Sequence, residues 1–204
     1  MRGGGTHRER GATQRVRRGT FVCAWTLAAA AFVLALQPGQ AVSAPARYQQ
    51  PILLTSSGQS EDIQEVKLLA ERLRLNFKFS PQATADELRG VQTLLIVVGA
   101  SLKGLGAAGV NLDQEVRRTE ALLSAAKAAR IRVVGLHISG AEGRNAVADR
   151  LINVVGPKTD YLIVEEEGNK DGLFTRIAEG NKIPISFVNS ILMVRDLLKE
   201  MFGV

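Results

Sequence analysis

Short apolar runs alternate along this chain with segments whose apolar residues recur every three or four positions, the two periods of buried strands and amphipathic helices. Pro51–Thr55 is the first run and stops at Ser56-Ser57-Gly58. Immediately after it, Ile63, Val66, Ala70 and Leu73 fall on one helix face, with Ser60 as the expected N-cap. The pattern predicts further strands at Leu75–Phe79, Thr93–Val98, Ile131–Ile138, Tyr161–Val164 and Ile185–Val188. Between and after them it predicts a short helical piece near Ala85–Arg89 and helices at Leu112–Arg130, Ala146–Val155, Leu173–Glu179 and Ile191–Phe202. In the long third helix the expected buried positions are Leu112, Val116, Leu123 and Ala126.

Strands that read as nearly continuous apolar runs are covered on both faces, and strict strand–helix alternation requires right-handed crossovers. Both features predict a single three-layer α/β/α domain over residues 51–204. Its sheet is expected to be mainly parallel and doubly wound, flavodoxin-like or Rossmann-like, with five to six strands. The expected strand order is 2-1-3-4-5 with an added sixth strand. Residues 45–50 read as a flexible arm ahead of it.

The first 44 residues follow neither period. They hold six Arg and one acid, Glu9, and an apolar run from Phe21 to Leu36 behind Arg15, Arg17 and Arg18. Val42-Ser43-Ala44 then supplies the small residues a signal peptidase reads. This order of basic, apolar and cleavage regions is that of a secretory signal peptide, so export and a cut after Ala44 are expected, with release to the periplasm, cell surface or medium. The chain's net charge of +6 comes almost wholly from this leader, since residues 45–204 carry a net +1. The body therefore has no compositional case for nucleic acid or an anionic membrane, and no later segment is long and apolar enough for membrane insertion after signal cleavage. Cys23, Trp25 and His7 also lie in the leader, leaving His137 as the body's single histidine. Disulfides, cysteine nucleophiles and Cys-ligated or multi-His zinc are excluded from the body.

In doubly wound sheets ligands bind beyond the carboxyl ends of the strands, where the strand order reverses. The polar, glycine-rich loops all fall at that edge, and the apolar strands between them offer nothing comparable. A small polar or anionic ligand is the leading expectation. Lys103 and Arg144 would supply charge there, and Ser57, Gln59, Ser60, Ser101, the Gly104 main chain and His137 would supply hydrogen bonds. Gly104-Leu105-Gly106-Ala107-Ala108-Gly109 matches G-x-G-x-x-G, but four residues separate it from Gly99 and its helix is expected only after Gly109. The next strand also ends in His137-Ile138-Ser139 where a ribose-binding acid belongs, so a glycine-rich turn is preferred to a dinucleotide site.

Two other functions remain open at this level. A serine hydrolase would use Ser57 or Ser60 as nucleophile with His137 as base, although no G-x-S-x-G elbow is present. A non-catalytic interaction module of the cell envelope would need only the scaffold. No cofactor is expected beyond a weak calcium site, for which Glu167, Asn169 and Asp171 place oxygen donors at alternate positions before Gly172. Position twelve of a standard calcium loop falls on Ala178, so Asp171 as a helix cap is the competing reading.

Thr55-Ser56-x-Gly58-Gln59-Ser60-x-Asp62, Ser101-x-Lys103-Gly104-Leu105-Gly106-Ala107-Ala108-Gly109 and Glu166-Glu167-Gly168-Asn169-Lys170-Asp171-Gly172-Leu173-Phe174-Thr175 together resemble a family of exported bacterial α/β proteins known only as a domain of unknown function. The resemblance spans roughly Gln50 to Val188. It implies the architecture and the export, and no activity. The segment after His137 departs from the family pattern at Ser139, Gly143 and Ala148, while Arg144 and Asp149 conform to it.

Overall fold

The computed structural model describes residues 48–204. The expected leader and its cleavage site lie outside the described residues. Six strands form one sheet in the order β2-β1-β3-β4-β5-β6, every neighbouring pair parallel. They are β1 (Ile52–Ser57), β2 (Phe77–Phe79), β3 (Thr93–Val98), β4 (Arg132–His137), β5 (Tyr161–Glu165) and β6 (Ile185–Val188). The helices are α1 (Asp62–Arg72), α2 (Leu102–Ala107), α3 (Leu112–Ala128), α4 (Ala146–Val155), α5 (Leu173–Asn181) and α6 (Ile191–Phe202).

Alternation along the strands splits the core in two. Leu53, Leu94, Ile96, Val133 and Leu162 point to the face covered by α3, α4 and α5. Ile52, Leu54, Leu95, Val97, Val134 and Ile163 point to the face covered by α1 and α6. This is the three-layer, flavodoxin-like arrangement expected from the apolar runs, and the strand order reverses between β1 and β3. The central Gly135 of β4 is held by packing, because a Cβ there would stand 2.9 Å from the Thr159 methyl and 3.0 Å from Leu162. Among the described residues no helix is long and apolar enough to cross a membrane.

Four expectations need correction. The arm before β1 is anchored where it is described: Tyr48 is buried, its N–H donates to the Met201 carbonyl at 2.7 Å, and its ring lies 6.3 Å from that of Phe202. Strand β2 begins at Phe77, since the Leu75 N–H is spent on the Ala70 carbonyl at the end of α1. Ser60 does not cap α1: Glu61 stands at the cap in helical backbone, and the Ser60 hydroxyl donates to Asp62 at 2.8 Å. The glycine-rich segment is not a plain turn, for it contains α2, whose cap Ser101 accepts the Gly104 N–H at 2.9 Å.

Candidate functional site

At the reversal point, β1 and β3 end side by side, Ser57 opposite Val98. The crevice expected there is filled from within. Glu115, one turn into α3, is fully buried beneath the end of β1. Its Oε1 accepts the Gly58 N–H at 2.9 Å, the Gln59 side-chain amide at 2.9 Å and Arg118 Nη2 at 2.8 Å. Its Oε2 accepts Arg118 Nε at 2.9 Å. Arg118 continues outward, donating to the Ser56 carbonyl at 2.6 Å and the Ala83 carbonyl at 2.7 Å. Burial opposes the charge of Glu115, yet the Arg118 guanidinium, the Gly58 N–H and the Gln59 amide outweigh it and hold the carboxyl below the ordinary glutamate value.

Of the residues assigned to ligand binding, this ion pair engages Gln59 directly. Gln59 takes left-handed backbone at φ 57° and divides its amide hydrogens between Glu115 and the Pro81 carbonyl. Ser57 is buried with its hydroxyl 3.1 Å from that of Thr119. The loops after β1 and β3 then close on each other, as the Ser101 N–H donates to the Gly58 carbonyl at 3.0 Å. Gly104 sits against the Gln59 carbonyl with no room for a Cβ, whereas Gly106 faces open space. The glycine motif therefore serves close packing. Lys103 is exposed on α2, a helix of only six residues, and forms no ion pair with a described residue.

His137, Ser139 and Arg144 are placed with similar economy. The His137 ring is buried, with Nδ1 2.9 Å from the Val98 carbonyl oxygen and Nε2 3.2 Å from that of Gly140. Neither ring nitrogen faces Ser57 or Ser60, so the nucleophile–base pair required for hydrolysis is not assembled. Ser139 instead donates to Asp62 at 2.7 Å, on the same oxygen that receives Ser60. Arg144 lies over the Phe174 ring, donates to Asp149 at 2.6 Å, grips both oxygens of Asp171 at 2.8 and 3.1 Å, and also reaches the Gly168 carbonyl. The guanidinium holds the Asp171 carboxyl down to about 2, helped by the Leu173 N–H. No charge is left on Arg144 for a ligand.

The calcium set does not come together either. Asn169 turns its amide oxygen to the Phe174 and Thr175 N–H groups at 2.9 and 3.3 Å, and so it is the principal cap of α5. Asp171 is committed to Arg144 and adds one bond to the Leu173 N–H at 3.1 Å. Glu167 pairs with Lys170. Among the described residues no group of three His, Cys, Asp or Glu side chains is placed to hold a metal ion.

The open chemistry lies one strand further along the same edge. Glu165 ends β5, opposite Val188 of β6. Its Oε2 is buried and has no hydrogen-bond partner. Two cavities meet at Glu165 and Ile138. One of about 200 Å³ extends toward Glu65 of α1 and Ser190 before α6, and one of about 390 Å³ extends toward Ser139, Gly140, Glu142 and Glu167. No Lys or Arg lines either cavity. Gly140 presses so closely on the Glu165 carboxylate that a Cβ would overlap it.

Fold and edge thus define a doubly wound α/β protein whose polar loops are largely satisfied by one another. The chain belongs to the family described as Domain of unknown function (DUF6305), which matches residues 49–202. Comparison with curated proteins and with solved structures returned no match.

Glu115 and Arg118 are not among the residues expected from the sequence. A signal for the first existed: Leu112, Glu115, Thr119, Leu122 and Ala126 share one stripe of α3, so a carboxylate interrupts the apolar face. Glu165 follows the apolar run of β5 directly, where alternation continues for one more residue.

Proposed function

We propose that the leader exports this chain and that the domain binds a small polar molecule with amine or hydroxyl donors at the carboxyl ends of β4, β5 and β6. The observation that carries the reading is the buried, unpartnered Oε2 of Glu165, a residue that lines two cavities. A buried carboxylate oxygen without a donor costs several kcal/mol or acquires one. Glu65, Glu142 and Glu167 line the same cavities without a basic side chain, which favours a cationic donor over the anion expected from Lys103 and Arg144. Ser190 and Asn189 add neutral partners on the α6 side. The export half of the proposal rests on the order of basic, apolar and small residues in the first 44.

Thermal-shift titration with small amines and amino alcohols, ethanolamine and 1,4-diaminobutane among them, tests the binding half. A ligand at 100 times its dissociation constant adds about 2.7 kcal/mol of stability. Glu165→Gln, which keeps the shape and turns one acceptor into a donor, abolishes that gain. A gain that persists undiminished in Glu165→Gln overturns the assignment. Amino-terminal sequencing of protein recovered from outside the cytoplasm, beginning at Pro45, tests the export half.

A further inference from the structure

At the opposite, amino-terminal edge of the sheet lies a basic cleft of about 560 Å³. Its cations come from three separate elements. Lys127 is in the last turn of α3, Arg130 follows it, Arg132 opens β4, and Lys158 ends the single helical turn Gly156–Lys158 before β5. Asp160 is the one carboxylate in the lining, and it is already occupied by the Val133 N–H at 2.7 Å and by Arg132 at 3.4 Å. Lys127, Arg130 and Lys158 are exposed and form no ion pair with a described residue.

The negative end of α3 accounts for a cation in its last turn. Arg130, in left-handed backbone at φ 58° just past that end, lies in reach of the same field, but Lys158 arrives from a different crossover and is not accounted for by it. Composition does not account for the convergence either, since residues 45–204 are almost neutral. Leu123, Ile131 and Val133 provide an apolar floor, which lowers the local dielectric and strengthens charge recognition above it.

We propose that this cleft binds a small phosphate-bearing anion, gripped by the Arg130 guanidinium, Lys127 and Lys158, while Arg132 stays paired with Asp160 and lies over the Tyr48 ring. Multiple acceptor oxygens suit this set better than a single carboxylate, because the guanidinium engages two oxygens side by side and each ammonium takes another. The site is separate from the Glu165 cavities and does not depend on them.

Calorimetric titration of the purified protein with inorganic pyrophosphate, at ionic strength matched by sodium chloride, tests the proposal. The parent shows saturable one-to-one binding. Arg130→Gly and the double variant Lys127→Gln/Lys158→Gln each weaken it by about tenfold or more. Glycine adopts the Arg130 backbone at no steric cost, so loss of binding in Arg130→Gly with an unchanged melting temperature reports the charge and not the fold. Absence of saturation in the parent, or equal binding by parent and both variants, overturns the proposal. Co-sedimentation with phosphatidylglycerol vesicles, against phosphatidylcholine vesicles, separates the sources. Retention that pyrophosphate displaces assigns a lipid headgroup, and pyrophosphate binding without retention assigns a soluble phosphorylated molecule.

Discussion

Replacing Glu115 by Gln changes one heavy atom in a fully buried carboxylate that ties α3 to the end of β1. The carboxylate accepts four hydrogen bonds within 2.9 Å, two of them from Arg118. Gln offers one acceptor oxygen and one NH2, so a donor is forced against either the guanidinium or the Gly58 and Gln59 N–H groups. The Arg118 charge meanwhile stays half-sealed without its counter-charge. Breaking a buried pair from one side costs about 3–5 kcal/mol, against a total stability on the order of 5–15 kcal/mol for a domain. With a urea slope of about 2 kcal/mol per molar, the unfolding midpoint should fall by about 2 M. Removing both charges in Glu115→Gln/Arg118→Met relieves the uncompensated guanidinium, so the double variant should cost about 2 kcal/mol less than the sum of the single ones. The pH dependence has a defined sign. The carboxyl lies below its ordinary value of 4.5 when folded, so its contribution is complete above that range and is lost as pH falls through the lower folded value. Glu115→Gln lacks this segment of the acid limb. Single variants within about 1 kcal/mol of the parent, or strict additivity in the double, would refute the idea that this pair locks the crevice.

Gly104→Ala drives a methyl into the Gln59 carbonyl and should destabilise by about 2 kcal/mol, while Gly106→Ala, facing open space in the same helix, should be neutral or stabilising by up to about 1 kcal/mol in the same urea assay. Asn169→Ala removes the acceptor of two α5 N–H groups and should cost about 1 kcal/mol, and the melting curve of the parent should be the same in calcium and in chelator. A serine-directed phosphonate should leave the folded protein unlabelled, because Ser57 is buried against Thr119 and His137 faces two carbonyls; mass spectrometry decides it.

The apolar runs carried the architecture because a strand covered on both faces has no other way to read. The strands Thr93–Val98 and Ile185–Val188 occupy the predicted bounds for that reason, and the helices Ala146–Val155 and Ile191–Phe202 do so because each buries one apolar stripe at helical spacing. Boundaries drifted where a polar residue is buried. Ser56 and Ser57 looked like loop, yet they extend β1 because Gln59 N–H, Arg118 and Thr119 satisfy their polar atoms inside the protein. The same cause misdirected the site. By pattern the polar loops at the carboxyl edge face a ligand, whereas in the structure Gln59, Ser60 and Arg144 are satisfied by Glu115, Asp62 and Asp171. Local pattern does not reveal such partners, which lie from 2 to 56 residues away in sequence. Glu165 illustrates the converse: an acid within an acidic run looks solvated until the sheet register places it against Gly140.

A crystal structure of the protein purified from its own host is the most direct test of the proposed binding site. The account predicts electron density for a small molecule in the Glu165 cavities, with an N–H or O–H donor within about 3 Å of Oε2. A single ordered water bonded to Oε2, with both cavities otherwise filled by solvent and unchanged by added amines, would contradict it.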